Sequence, residues 1–334
     1  MKQSVRIVDL AMDLKNKTAR TVAHLAIQCP FQNRLSALAD ILVVYGKGGK
    51  VIVFTQTKAD ANSLLLSDKI KQDIEVMHGD IAQNQREVTM KRFKEGKFRV
   101  LVATDVASRG LDIPNVDLVI QLEPPKETET YIHRSGRTAR AGASGTCITF
   151  YTTKTKMLIE QIEGQAGIKL QRIGVPQPED VIKASAMDIC KNLEEVHDDV
   201  LPLFVDTARA LIEQKGGDAE KALCTALAFI SGHYKAAINA RSLITGQDRM
   251  ITVKIESNQG GRISVSQVFS ILRRFWPPMF ADSVRTMRGC ANQAGAVFDL
   301  YEDQFSRFMD NWAHLQVQEQ GRLDFDVSKC NDLP

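Results

Sequence analysis

Leu35, Leu38, Ile41 and Leu42 fall at helical spacing within Phe31 to Tyr45, and the glycine-rich turn Gly46 to Gly49 closes that helix. Residues 51–54, VIVF, are apolar without alternation, as in a strand buried on both faces. The pattern then repeats. It predicts a helix over Lys58–Leu66, a strand near Glu75–Met77, a helix over Gln83–Phe93 and a strand over Val100–Ala103. Val116–Gln121 reads as a further strand, Tyr131–Arg134 as the start of a short helix and Thr146–Phe150 as a last strand. Strands alternating with helices imply an α/β fold, a parallel sheet with helices on both faces. From about Pro176 the texture changes. Residues 179–234 are rich in Ala, Leu and Glu and read as several helices, clearest at Thr207–Glu213 and Ala219–Ile230. Ile251–Ile255 alternates like a half-buried strand, Val265–Phe275 and Asp303–His314 read as helices, and Gly295–Leu300 as another strand. This second texture fits a compact α+β module, and the polar stretch after Gly321 reads as a loose tail.

Composition changes little in this picture. Of 334 residues, 44% are hydrophobic and 25% charged, as in an ordinary globular chain. With 43 basic and 40 acidic side chains the net charge is +3, so a nucleic-acid surface would have to come from local placement of Arg and Lys. The six cysteines form no C-x-x-C pair and have no histidine at metal-ligand spacing, so no metal site is expected. No run approaches ~20 apolar residues, and the start lacks a signal-peptide pattern, so the expectation is an intracellular protein with no membrane span.

Local chemistry gathers in three segments. In residues 131–140, YIHRSGRTAR, Arg134, Arg137 and Arg140 recur every three residues and would lie on neighbouring turns of a helix. Guanidinium suits phosphate in a fork geometry and charge developing in phosphoryl transfer, while a solvated basic face is the plain alternative. Residues 102–113 follow a strand directly, where α/β proteins bind ligands; Thr104 could donate to a phosphate and Asp112 accept from a ribose hydroxyl. His78-Gly79-Asp80 precedes Gln83 and Arg86. Gly79 permits close backbone approach, Asp80 could serve as a helix N-cap, and Arg86 could reach a phosphate. Gln56, Thr57 and Lys58 add a polar strand end. Gly46-Lys47-Gly48-Gly49-Lys50 precedes a strand and lacks the G-x-x-x-x-G-K-[ST] pattern, so it reads as a turn. His24, His197, His233 and His314 read as surface or packing residues. Near the C-terminus, arginines accompany Phe269, Phe275, Trp276 and Phe298, a mixture suited to single-stranded RNA. Phe269 and Phe298 are expected in the core, and Arg273 and Arg274 beside Trp276-Pro277-Pro278 at the surface.

VIVFTQTK (51–58), HGD with Gln83 and Arg86, VATDVASRGLD (102–112) and YIHRSGRTAR (131–140) stand in the order of the motifs of the second RecA-like domain of DEAD-box RNA helicases, which this part of the chain closely resembles. Val22, His24 and Leu25 resemble that domain's first strand. AGIKLQRIGVPQPEDVIKAS narrows the resemblance to the nucleolar RNA helicase II/Gu subfamily, whose C-terminal domain is a variant of the RRM-like fold. The resemblance implies a leader over 1–20, the second RecA-like domain over 21–175, a helical segment over 176–245 that would pair subunits into a homodimer, an RRM-like RNA-binding domain over 246–320 and a flexible tail over 321–334.

By the same resemblance, Arg137 and Arg140 would be arginine fingers toward the ATP γ-phosphate, and Asp112 would contact the nucleotide ribose. His133 and Arg134 would couple the cleft to the RNA side, and Thr57, Gly79, Arg86 and Thr104 would touch RNA backbone, with Arg273 and Arg274 as further RNA candidates. ATP and Mg2+ would be held mainly by the first RecA-like domain of the same protein, and no complete phosphate loop or D-E-A-D-like site occurs in this chain, which alone is expected to hydrolyse no ATP. The family has glycine where this chain has Ala139, a change harmless in a helical backbone and costly if an unusual dihedral is needed there. The subfamily implies nucleus and nucleolus, with an organellar relative also open. The competing reading is a non-catalytic RNA-binding or dimerisation module with a retained helicase fold.

Overall fold

The computed structural model describes residues 21–67, 70, 72–105, 116–139, 144–234, 239–319 and 322–333. The chain divides into two compact units, one up to Ala39 with Gly49–Ile173, the other Asp40–Gly48 with Gly174–Pro334.

The first unit is built on seven parallel strands: β1 Val22–Gln28, β2 Val51–Thr55, β3 Ile74–Met77, β4 Val100–Thr104, β5 Leu118–Gln121, β6 Gly145–Tyr151 and β7 Gln171–Ile173. Their order is β3-β4-β2-β5-β6-β1-β7. Every residue of β2, β4 and β5 is buried, which requires cover on both faces and explains their unbroken apolar runs. Among the described residues, five helices stand between the strands in sequence: α1 Arg34–Val44, α2 Lys58–Leu65, α3 Gln83–Lys94, α4 Thr128–Ser135 and α5 Lys156–Ala166. This is the RecA-like arrangement. Register fixes where the strands end. Thr55 pairs with Thr104 and Met77 with Ala103, so β3, β4 and β2 end together at their carboxyl edge.

The second unit begins with helices α6 Pro178–Leu193, α7 Val205–Gln214 and α8 Ala219–Ile230. They and the 3-10 turn Asp198–Phe204 before α7 bury little of their own apolar surface. Leu201, Leu203 and Phe204 of that turn and Leu223, Phe229 and Ile230 of α8 are all exposed. An antiparallel sheet follows, of β8 Met250–Ser257, β9 Arg285–Gly289, β10 Gly295–Tyr301 and β11 Phe325–Lys329, in the order β11-β8-β10-β9. Helices α9 Val265–Phe275, α10 Pro278–Ser283 and α11 Glu302–Glu319 complete an RRM-like domain. A capping box between Ser264 and Gln267 starts α9.

The structure corrects two expectations. The stretch after Gly321 is not a loose tail throughout: Phe325–Lys329 pairs with β8, and Phe325 and Val327 are buried in the core. Phe269 is only half-buried, because Val268 and Leu272 take the core face of α9 instead; Phe298 is fully buried as expected.

One face of the RRM-like sheet packs Ile251, Val253, Ile255, Ala296, Phe298 and Leu300 into the helical core. The other face carries Thr252, Val297 and Asp299. Leu243 and Ile244 lie against Val297 there, with Cys290 and Cys330. Asp299 accepts from Ser242 Oγ at 2.7 Å and from Thr252 Oγ1 at 2.8 Å. Burial lifts its carboxyl to about 6 even though both hydroxyls favour the anion. A carboxyl raised in the folded state stabilises fully below its unfolded value and loses that contribution as pH rises through the folded value. Between pH 4 and pH 7 the wild-type chain should therefore lose about 2 kcal/mol that Asp299→Asn does not lose. Denaturant titrations of both chains at the two pH values measure the difference. Equal pH dependence in the two would remove Asp299 as its source.

Candidate functional site

The shared carboxyl edge of β3, β4 and β2 brings together the turns after β2 and β3 and the end of β4. Thr57 is the N-cap of α2. Its Oγ1 accepts from the Asp60 N–H at 3.1 Å and donates to Asp60 Oδ2 at 2.7 Å. Lys58 Nζ pairs with Asp80 Oδ2 at 2.6 Å, tying the turn after β2 to the turn after β3. Asn62 Oδ1 lies 3.2 Å from His78 Nε2 and makes a second tie. Asp80 is thus not the N-cap of α3. Ala82 holds that position without a side-chain cap, and the hydrogen bond from Lys58 lowers the Asp80 carboxyl instead. Gly79 lies between His78 and Asp80 and does not take a positive φ. Arg86 turns back on its own helix start, its Nε donating to Ile81 O at 3.1 Å. Thr104, at the end of β4, is buried. The structure therefore brings Thr57, Gly79 and Thr104 to one edge of one sheet.

Asp105 follows Thr104 and meets Arg134 of α4. The pair is bidentate, Arg134 Nε to Oδ1 and Nη2 to Oδ2, both at 2.7 Å. Arg134 also donates from Nη1 to Gln121 Oε1 at 3.2 Å and lies over the Phe54 ring. Gln121 in turn donates to Cys147 Sγ. Tyr131, one turn earlier on α4, hydrogen-bonds His24 Nδ1 through its hydroxyl at 2.8 Å. His133 is exposed on the same helix. The expected arginine row on one helix does not form. The helix ends at Ser135, so Arg134 is its last arginine and points into the buried pair, while Arg137 lies beyond it.

Arg137 sits in a segment stitched to the start of β5. Its N–H donates to Arg134 O, its carbonyl accepts from Val116 N–H, both at 3.1 Å, and Thr138 Oγ1 donates to Val116 O at 2.5 Å. Ala139 then takes φ 58° and is buried. Its backbone is left-handed, not helical, so the methyl group there is not harmless. The neighbouring glycine is equally constrained: a Cβ on Gly145 would stand 2.0 Å from Thr138 Oγ1 and 2.7 Å from Ala139 N. Left-handed backbone costs an L-residue about 1–2 kcal/mol, and glycine's extra freedom when unfolded returns about half of that. Ala139→Gly should therefore raise stability by up to about 1 kcal/mol. Denaturant titration checks the sign; a loss of that size would mean that the dihedral carries no strain. Asp112 and Arg140 lie outside the described residues.

Arg273 and Arg274 belong to the second unit and are exposed in the last turn of α9. Their aromatic neighbour is not available to stack a base. Trp276 is buried against Phe308, ring centres 4.8 Å apart, and its Nε1–H donates to Phe308 O at 3.1 Å. Among the described residues no group of three or more His, Cys, Asp or Glu could hold a metal ion. Asp105, Gln121 and Asn62 were not singled out by the sequence. The one available signal was Asp105, an acid placed directly at a strand's carboxyl end.

Residues 33–142 match the helicase conserved C-terminal domain, 177–230 the DDX21/DDX50 dimerisation domain and 233–334 the GUCT (NUC152) domain. The chain is 42% identical over 313 residues to the ATP-dependent RNA helicase DDX50 of Homo sapiens, covering 93% of this chain and 42% of that protein. It is also 42% identical over 313 residues to nucleolar RNA helicase 2 of Mus musculus, covering 93% of this chain and 36% of that protein. To DEAD-box ATP-dependent RNA helicase 7 of Spinacia oleracea it is 40% identical over 332 residues, 99% of this chain and 46% of that protein. It thus spans less than half the length of these relatives. With three domains matched in this order and Thr57, Gly79 and Thr104 at one edge of a RecA-like sheet, the chain belongs to the DEAD-box RNA helicase family, of which it carries the C-terminal part.

Proposed function

We propose that this chain is the second half of an ATP-dependent RNA motor that unwinds duplexes locally. The observation that carries this reading is the shared carboxyl edge of β2, β3 and β4, which aligns the turns after β2 and β3 with Thr104, next to the Asp105–Arg134 clamp. Thr57, Gly79, Arg86 and Thr104 would follow one RNA strand along that edge by its sugar-phosphate backbone, which gives affinity without sequence choice. Thr57 and Arg86 would have to exchange their internal hydrogen bonds for phosphate oxygens, so the RNA edge is held in shape before RNA arrives. Arg134 and His133 sit on the helix between this edge and Arg137, as a coupling element requires.

ATP with Mg2+ supplies the phosphoryl group and its leaving chemistry when bound. The residues present fit the phosphate side of that site: the backbone bonds around Arg137 set where its side chain starts, as a fixed cation for developing charge must be. Arg140 and Asp112 would complete this side, and we place the metal ligands on the first RecA-like domain. RNA-stimulated ATP hydrolysis tests the reading, measured for this chain alone and joined to a matching first domain. Turnover only in the joined form is expected. RNA binding without turnover in either form would favour the non-catalytic reading.

We further propose that α6, α7 and α8, with the 3-10 turn Asp198–Phe204, pair two copies, since they leave several large apolar side chains close in sequence exposed to water. The matched dimerisation domain supports this. Leu203→Glu with Phe204→Glu should shift the chain from dimer to monomer, raising the dissociation constant at least tenfold in sedimentation equilibrium. A wild-type chain that sediments as a monomer at micromolar concentration would sink the idea. Arg273 and Arg274 are proposed as phosphate contacts only. The name of one relative, nucleolar RNA helicase 2, supports placement in the nucleolus.

A further inference from the structure

The first unit holds a pocket lined by none of the residues proposed above for RNA or ATP, although Thr55 and Gln56 of the 51–58 motif border it. Its volume is about 260 Å3, and Leu35, Leu38, Leu64 and Leu122 give it an apolar floor. Two observations mark it as built to bind. Phe31 lines it while 68% exposed, its ring held under the Arg34 guanidinium at 5.5 Å. Arg34 also lines it and is only 7% exposed. Its Nη1 donates to Glu123 Oε1 at 2.6 Å, yet its buried Nε has no hydrogen-bond partner. A buried N–H without an acceptor is destabilising, and a ligand carbonyl that displaced the atoms now covering it would relieve it.

The charge of the lining selects the ligand class. It contains one cation, Arg34, and two carboxylates, Asp60 and Glu123. Arg34 and Glu123 offset each other, so the uncompensated charge is that of Asp60. Such a rim repels phosphate and attracts a cation. A nucleotide is therefore disfavoured, whereas an apolar side chain beside a basic one is complementary.

We propose that this pocket docks a short peptide segment of a partner protein. One aromatic or large aliphatic side chain enters the leucine floor beside Phe31, a peptide carbonyl accepts from Arg34 Nε, and an adjacent Lys or Arg faces Asp60. A single buried anchor of this kind dominates peptide recognition elsewhere. Asp60 is also the hydrogen-bond partner of Thr57, so an occupant would lie one hydrogen bond from the proposed RNA edge. The proposal itself does not rest on catalysis, and its test needs no turnover.

The test is NMR on the whole chain with three probes: N-acetyl-phenylalanyl-lysine amide, N-acetyl-phenylalanyl-glutamate amide and uridine monophosphate. The lysine dipeptide should bind at least fivefold tighter than the glutamate one and shift the Arg34 Nε–H resonance. Phe31→Ala, at an exposed position, should weaken it at least fivefold while leaving the melting temperature in place. Asp60→Asn should abolish the preference for lysine over glutamate. Uridine monophosphate binding best, with loss on Phe31→Ala, would make this a nucleotide pocket and overturn the proposal. Equal binding of the two dipeptides, or no shift of the Arg34 resonance with any probe, would overturn it as well. The Arg34 resonance is read in the unaltered chain, so a variant that failed to fold would not blunt the test.

Discussion

In a chain joined to a matching first RecA-like domain, Arg137→Ala should lower RNA-stimulated ATP hydrolysis roughly a thousandfold while leaving RNA binding nearly unchanged. The expectation comes from what the residue has to do. Phosphoryl transfer leaves little covalent work for the protein, so most of the acceleration is positioned charge. Arg137 starts from a backbone fixed on both sides by hydrogen bonds to Arg134 and Val116. Alanine keeps those bonds, so the loss should appear in turnover and not in the melting temperature. Arg137→Lys separates charge from geometry. Lysine supplies a point charge without the planar fork and should recover only a small part of the rate. Single-turnover hydrolysis at saturating RNA and ATP measures both variants. A fall of less than tenfold for alanine would move the finger role to Arg140 or abandon it.

The strands that position this site were legible because burial on both faces leaves an unbroken apolar run. VIVF and VLVA could not have been anything solvated. Helices were legible through their spacing, with Ala219–Ile230 and Val265–Phe275 of the second unit found at their full extent. What escaped were elements whose reason for existing is elsewhere in the chain. β9, RTMRG, is an edge strand with charged residues, which resists association but gives no period to read. β11, FDVSK, shows only Phe325 and Val327 as inward residues, too short a pattern to stand out from a tail. Trp276 stood in the sequence among the aromatics suited to stack single-stranded RNA, yet it is buried. Its partners Phe308 and Trp312 come from α11, which local sequence does not place beside it. The motif arginines were recognisable as a set, but the end of α4 between Arg134 and Arg137 was not. Gly136 caps that helix, and the left-handed Ala139 lies where no sequence rule expects alanine. The candidate site was thus readable in its residue types and unreadable in its tethers.

The most consequential of those tethers is Asp105. Arg134 is 3% exposed and relies on Asp105 for two of its hydrogen bonds, while Asp105 itself remains 33% exposed. Removing one partner of such a pair leaves a guanidinium buried without its counter-charge, and the cost is that of the stranded charge more than of the lost bond. Asp105→Ala should therefore destabilise the chain by about 3 kcal/mol, near the low end for buried pairs because Asp105 reaches solvent. Gln121 and the Phe54 face offer Arg134 only neutral contacts and cannot replace a carboxylate. The double variant Asp105→Ala with Arg134→Leu separates the two causes. If stranded charge dominates, removing Arg134 as well should restore at least half of the loss, since leucine fills apolar space beside Phe54. If the clamp stabilises by its own bonds, the double variant should be no better than the single one. Denaturant titration of the four chains closes the cycle. RNA-stimulated turnover of the joined protein then tells stability from coupling. The double variant should fold and still turn over poorly, because α4 would no longer be tied to the strand that ends at Thr104. A stable double variant with full turnover would leave Asp105–Arg134 a structural pair and place the coupling on His133.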